Sequence, residues 1–383
     1  VISRALALIS SLVIAPAAAE NAPAPQPYQL VRALQVMQEE AAYGGGPATV
    51  ETGQFVRQIA QEFARAPGET WADRRNARAA AIYLFSGGSP SSFRAVLVGD
   101  KLAESERPLV RGALAYAEGR EGPARELLFA LDPRKAAPNV GGHLALAQAT
   151  LIGRGDPERY FQALGLARLL MPGTVVEEAA LRREIDAAAD LDRIEKAAFL
   201  TEQYLRRYPL SVYGPPFKDR LARILAKRIL EGDEAAARRA ADLLDLLPRE
   251  PRINTHLTIA REALQLGKFP AATLSAERAL RQASEGSAAA ARAGLYLSAA
   301  QIVGPEYQAA VARARATSVD QLDRADRALR LAVLRAAPRL RTWPPAGASA
   351  QRPPAPATRA DATIERARVA LDDLAAAMKD TAR

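Results

Sequence analysis

HLTIAREALQLGKFPAATLSAERALRQ, residues 256–282, is the stretch on which the fold turns. His256, Ile259, Ala260 and Ala263 recur at three- and four-residue steps, so a helix places them along one face. Gly267 breaks that rhythm, and Pro270 sits where a second helix would take its first turn. Ala272, Ala276 and Ala279 then form a stripe of small residues on the second helix. The distance between packed helices depends on the side chains at the contact, so methyl groups allow a close approach. A single hairpin leaves apolar surface that only a neighbouring hairpin can cover.

The same punctuation continues in both directions. Turns are expected at 153–157, 171–173, 189–191, 209–216, 232–233, 248–251 and 267–270, each marked by Gly, Pro or Asp. Prolines 172, 209 and 248 are spaced by 37 and 39 residues, near the roughly 34-residue period of tetratricopeptide repeats. Thr174-x-x-Glu177 and Ser318-x-x-Gln321 have the spacing of capping boxes and mark helix starts. The expected fold is all-α: a tetratricopeptide-like helical-hairpin array, or α-solenoid, with a Pro/Ala-rich linker and a C-terminal helix. Units other than 256–282 carry the pattern incompletely. That leaves an irregular bundle of Ala-rich helices as the alternative.

Ahead of the array, Tyr28, Val31, Leu34 and Met37 mark a first helix, closed by glycines 44–46 and Pro47. Helices are also expected at 50–64 and 76–85, the latter stopped by Gly87 and Gly88. Ser89 and Pro90 then offer an N-cap and a first helical position for the next one. The expected organisation is a signal peptide (1–19), an extended leader (20–27), an N-terminal helical region (28–141), the tetratricopeptide-like repeats (142–340), a Pro/Ala-rich linker (341–360) and a C-terminal amphipathic helix (361–383). Helices of the array should continue to about residue 336. In the tail, Ile364, Ala367, Leu371, Leu374 and Met378 alternate by three and four over two heptads, too few to define a coiled coil.

Composition agrees with a helical chain. Ala, Leu and Arg are strong helix formers and are abundant throughout, whereas aromatic residues make up only 5%. The net charge of +9 is spread along 383 residues and mixed with acids. Solvated helix faces account for it, since nucleic-acid recognition needs a localised basic face. Arg4, the apolar run 5–15 and the small residues Ala17-Ala18-Ala19 form a cleavable signal-peptide pattern, with a buried N-terminal helix as the alternative. A mostly apolar stretch of eleven residues is too short to span a bilayer as a helix, so export without a membrane span is expected.

The chemistry of catalysis is sparse. There is no cysteine, and only His143 and His256 could anchor a triad or a metal site. His256 occupies a bulky packing position of a repeat helix. His143 follows Gly141 and Gly142 at a helix start, where a cap or surface role is expected. Glu177-Glu178 and Asp372-Asp373 are adjacent pairs that a helix points about 100° apart, so they read as solvated faces rather than acid/base pairs. Gly44-Gly45-Gly46 lacks the lysine of a phosphate loop. Glu104-Ser105 matches the start of the active-site motif of soluble lytic transglycosylases, but Glu106, Arg107 and Pro108 follow it, and the Gly-Leu-Met-Gln segment is absent. No enzyme activity, cofactor or metal is therefore expected.

Several stretches carry a family resemblance: PYQLVRALQ at 27–35, AAIY at 80–83, SGGSP at 86–90, PGTVVEEAALRR at 172–183 and YLRRY at 204–208. Together they resemble the chemotaxis protein MotC family of alphaproteobacteria, well over residues 27–217 and in helical character beyond. The Ala/Pro linker after Trp343 departs from that pattern. The resemblance implies a periplasmic, non-enzymatic protein required for flagellar rotation. Its partner would be the periplasmic part of the stator protein MotB, which it would assist as a chaperone or a positioning partner. A general envelope-assembly adaptor and, more remotely, a peptidoglycan lytic enzyme are the alternatives. The family assigns no contact residues. On the helix opened by Thr174, Arg182 and Arg183 are the candidate partner-binding pair, since Arg is enriched at interface hot spots.

Overall fold

The structure, a computed structural model, describes residues 25–45, 49–91, 94 and 101–341. The expected signal peptide, most of the leader, the linker from residue 342 and the C-terminal helix lie outside the described residues. Contacts cluster into two compact units, which divide the chain between Ala180 and Leu181. Among the described residues, all regular elements are helical.

The first unit contains α1 (Pro27–Ala42), α2 (Thr49–Arg65), α3 (Arg74–Phe85), α4 (Arg107–Ala117), α5 (Glu121–Phe129), α6 (Gly141–Ile152) and α7 (Pro157–Leu170). Helix α1 packs on α2 and α3, and from α3 onward each helix packs on the next. At the centre the Phe63 and Trp71 rings meet edge-on at 5.3 Å, and Phe63 and Tyr83 meet at 5.2 Å. Burying such rings removes more apolar area from water than any aliphatic choice. Gly87 ends α3 with φ at 88°, a conformation that side chains disfavour. Gly88 then lies flat against Tyr83, where a Cβ would come within 2.2 Å of the ring. Asn76 is buried and pins three segments: it accepts from the Tyr28 amide at 3.1 Å and donates to Gln26 and to the Thr70 carbonyl.

Helix α8 (Val175–Asp190) leads into the second unit, which holds α9 (Ile194–Arg207), α10 (Gly214–Glu231), α11 (Glu234–Leu244), α12 (Arg249–Gln265), α13 (Phe269–Gln282), α14 (Ala288–Gln301), α15 (Tyr307–Ala316) and α16 (Arg324–Arg341). Packing here repeats. Helices α10, α12 and α14 each touch the next helix and the next but one, and α11 touches α13. This is helix-on-helix packing consistent with a helical array. As the 256–282 pattern requires, His256, Ile259, Ala260 and Ala263 on α12 and Ala272, Ala276 and Ala279 on α13 are all buried. The turns between helices are short and capped: Asp233 accepts from the Ala236 amide at 2.8 Å and Ser287 from the Ala290 amide at 3.2 Å.

Polar side chains tie one hairpin to the next at a near-constant sequence separation. Arg220 pairs with Asp186, Arg228 bonds the Asp190 carbonyl, Lys268 the Leu230 carbonyl, Arg278 pairs with Asp242, and Arg292 with Asp326. These partners stand 34 to 38 residues apart. Two acids at these ties, Asp186 and Asp326, are buried, which is tolerable only because each is paired.

Some local expectations are corrected. Pro90 lies in a bend rather than at the first position of a helix, and the Ser91 amide turns back to Ser89 Oγ. Ser318 opens only a single 3-10 turn, Val319–Gln321, because Gln321 reaches across to the Gly286 carbonyl. The following helix is capped instead by Asp323, which accepts from the Asp326 amide at 2.8 Å. Helix α16 continues past residue 336 to Arg341 with Pro338 inside it.

Candidate partner-binding groove

A cavity of the second unit, about 1030 Å³, runs along successive hairpin turns. Its walls come from the α10–α11 turn at Gly232 and Asp233, the α12–α13 turn at Lys268, the exposed side of α13, and the turn after α14 at Val303–Glu306. Phe269, Leu274 and Val303 supply an apolar strip, and Val303 is 56% exposed. Charges of both signs rim it: Glu231, Asp233, Glu234, Glu277 and Glu306 against Arg238, Lys268, Arg278 and Arg281. Most are engaged inside the fold. Lys268 donates to the Leu230 carbonyl at 2.7 Å, Arg238 pairs with Glu234, and Arg281 stands 3.8 Å from Glu277. An apolar floor with a satisfied polar rim is how a protein surface receives another chain.

Beside the groove lies a part-buried polar cluster around the fully buried His256. Asp245, at the end of α11, accepts from His256 Nε2 at 3.1 Å, from Gln282 Nε2 at 2.6 Å and from Arg278, which also pairs with Asp242. Burial pushes the Asp245 carboxyl up, but the bonds from His256, Arg278 and Gln282 win and hold it well below the usual carboxylate range. The cluster therefore orients Arg278 on the groove wall. His256 is 0% exposed, so it belongs to this internal network, as its packing position implied.

His143 overturns the cap-or-surface expectation. It is 5% exposed, and Gln35 Nε2 donates to its Nε2 at 3.4 Å. Gly142 is the reason: a Cβ there would lie 2.7 Å from Met171 Cγ, so its absence lets the start of α6 sink into the core and take His143 along. Burial pushes the imidazole down to about 4, which keeps it neutral at physiological pH. The solvated reading of Glu177 and Glu178 is also overturned, since Glu178 is 0% exposed and Glu177 is buried too. Both stand in the first turn of α8, where unsatisfied backbone donors favour carboxylates, and Glu177 accepts from the Gly173 amide at 2.6 Å.

Arg182 and Arg183 are half-buried on α8, and the Arg182 guanidinium lies over the Tyr213 ring at 5.4 Å. Neither lines the groove. Local signals for the groove existed in Gly232-Asp233 and Gly267–Pro270, but these residues read as turn punctuation, and nothing local says that successive turns share a wall. Glu104 is exposed on a 3-10 turn, outside the enclosed setting that a general acid uses. No cluster of metal-ligating residues occurs among the described residues, and no helix among them is long and apolar enough to cross a membrane.

Comparison with known proteins adds an identity. A family model described as "Chemotaxis protein MotC" matches residues 1–382. A protein of that name from Rhizobium meliloti (strain 1021) is 28% identical over 354 residues, which span 92% of this chain and 80% of the relative. No solved structure matches. The all-α helical packing and the end-to-end family match lead to one conclusion: the chain belongs to the chemotaxis protein MotC family.

Proposed function

We propose that this chain is a periplasmic motility factor that binds the periplasmic part of the flagellar stator protein MotB and assists it as a chaperone or positioning partner. Family membership over nearly the whole chain is the observation that carries this reading. The groove along the hairpin turns of the second unit supplies the contact surface, with Phe269, Leu274 and Val303 as its apolar strip. The array is read as tetratricopeptide-like, supported by polar ties that recur at 34 to 38 residues, close to one repeat. Arg182 and Arg183 on α8 are proposed as a second contact. Export by the 1–19 signal segment would bring the protein to the compartment where that partner lies.

Co-purification and calorimetric titration with the MotB periplasmic fragment test the reading directly. Saturable association is expected. The exposed-site substitution Val303→Asp should weaken it about tenfold while leaving stability within about 0.5 kcal/mol. Arg182→Ala with Arg183→Ala tests the second contact in the same assay. Absence of association at roughly tens of micromolar, together with normal swimming in a deletion strain, would overturn the proposal. Envelope defects with unimpaired swimming would favour a general adaptor instead.

A further inference from the structure

A second cavity, about 450 Å³, lies within the first unit between α1, α3 and the segment before α6. Its floor is apolar, made by Val31, Ala79 and Ile82. Its polar lining includes Tyr28, Gln29, Arg32, Arg75 and Arg78, with no acid among the lining residues. Charge accounting around it is uneven. Arg75 is answered by Asp73 at 2.7 Å. Arg78 must share the one carboxylate of Glu106 with Arg74, at 2.7 and 3.1 Å. Arg32 is exposed and makes no ion pair or hydrogen bond with the described residues. Of the three guanidinium groups that line the cavity, Arg75 and Arg78 each have a carboxylate partner that is not among the lining residues, and Arg32 has none among the described residues, so about one positive charge is left over at its walls.

The lining is also held in place. Arg75 lies over the Tyr28 ring at 4.5 Å, and Arg78 is fixed by its ion pair. Gln35 is only 7% exposed and is anchored through its amide nitrogen to the buried, neutral His143. A guanidinium presents parallel donors that match the two oxygens of a carboxylate, and the amides of Gln29 and Asn139 at the rim can add neutral donors. An apolar floor under a cationic rim suits an organic acid better than a fully hydrated inorganic ion.

We propose that this cavity is a carboxylate-binding site, in which Arg32 and Arg78 clasp the carboxylate and Val31, Ala79 and Ile82 receive the carbon skeleton. The carboxylate can come from a free small organic acid or from an acidic side chain of a partner protein. The site stands apart from the groove and does not depend on the MotB reading.

The test is calorimetric titration of the purified full chain with succinate, with a capped glutamate-rich hexapeptide and with inorganic phosphate. Saturable binding of succinate or the peptide is expected, weaker by about tenfold in Arg32→Gln and in Arg78→Gln. Because Arg32 is exposed and has no partner among the described residues, Arg32→Gln should keep the parent thermal midpoint, so loss of binding there cannot be blamed on unfolding. Peptide tighter than succinate by about tenfold or more assigns the carboxylate to a partner protein, and equal or tighter succinate binding assigns it to a free acid. Phosphate binding as tight as either carboxylate, no saturable carboxylate binding up to about 10 mM, or unchanged affinity in Arg32→Gln would overturn the proposal.

Discussion

In the first unit Phe63, Trp71 and Tyr83 fill the centre with ring area, whereas in the second the facing surfaces of α12 and α13 are built on Ala260, Ala263, Ala272, Ala276 and Ala279. The two designs manage polar groups differently as well. Around His143 the first unit keeps a neutral group in its interior, and its buried Glu106 is shared by Arg78 and Arg74, 28 and 32 residues away. From α8 to α16 the second unit buries charged groups, and a cation on one hairpin reaches an acid or carbonyl about one repeat away. Methyl-lined hairpins contribute little apolar area each, so ties between neighbours carry more of the specificity. Rings contribute more area each, so the irregular helices of the first unit rest more on burial and less on recurring ties.

Removing a ring should have the largest effect. Trp71→Ala deletes a fully buried side chain in edge contact with Phe63 and should cost about 3–5 kcal/mol in urea unfolding. A cost under about 1 kcal/mol would mean that the ring cluster is not what holds the first unit. Next comes the polar cluster of the second unit. Asp245→Ala strands Arg278, His256 and Gln282 and should cost about 2 kcal/mol, discounted because Asp245 is partly exposed. The sign of its pH dependence follows from its depressed pKa. The wild-type advantage is present above the ordinary carboxylate value and shrinks as the pH falls below about 4. Thermal midpoints of the two proteins should therefore converge in acid.

Overpacking sharpens the contrast. Ala276→Leu forces a branched side chain into the small-residue face of α13 and should cost about 1–3 kcal/mol, measurable as a lower urea midpoint with an unchanged slope. A neutral result would show that the alanine stripe is not a close contact. The smallest effect is expected from His143. Its folded pKa lies near 4, below the ordinary 6.5, so the unfolded chain gains the proton first and stability falls as the pH drops through that window. Between about pH 7 and pH 5.5 the loss should be about 1 kcal/mol and should vanish in His143→Gln. The first unit would thus respond near neutrality, whereas the Asp245 carboxylate responds only in acid.

Much of this was legible beforehand, and in unequal measure. Small residues every three or four positions and a glycine between two such runs place the α12–α13 hairpin, because a helix brings i and i+4 together whatever surrounds it. Glu177 and Glu178 show the opposite case. Two adjacent acids look solvated on any helix drawn alone, and only the packing around α8 makes them interior. His143 misled for a related reason: Gly141 and Gly142 announced a helix start correctly, but their missing side chains matter through Met171 and Pro133, which no local window contains.

Composition and periodicity alone determined that this is a chain of helices and where most of them turn, since backbone propensity and side-chain spacing act within a few residues, while the family resemblance came from particular stretches such as 172–183. Tertiary structure alone decided which of many arginines answers which acid, that turns far apart in sequence share a groove, and that Arg32, Arg75 and Arg78 surround one cavity. Those outcomes depend on how helices 34 to 38 residues apart, or more, settle against each other. A pattern repeated along the chain specifies that such helices pack, but leaves open which polar side chains meet when they do.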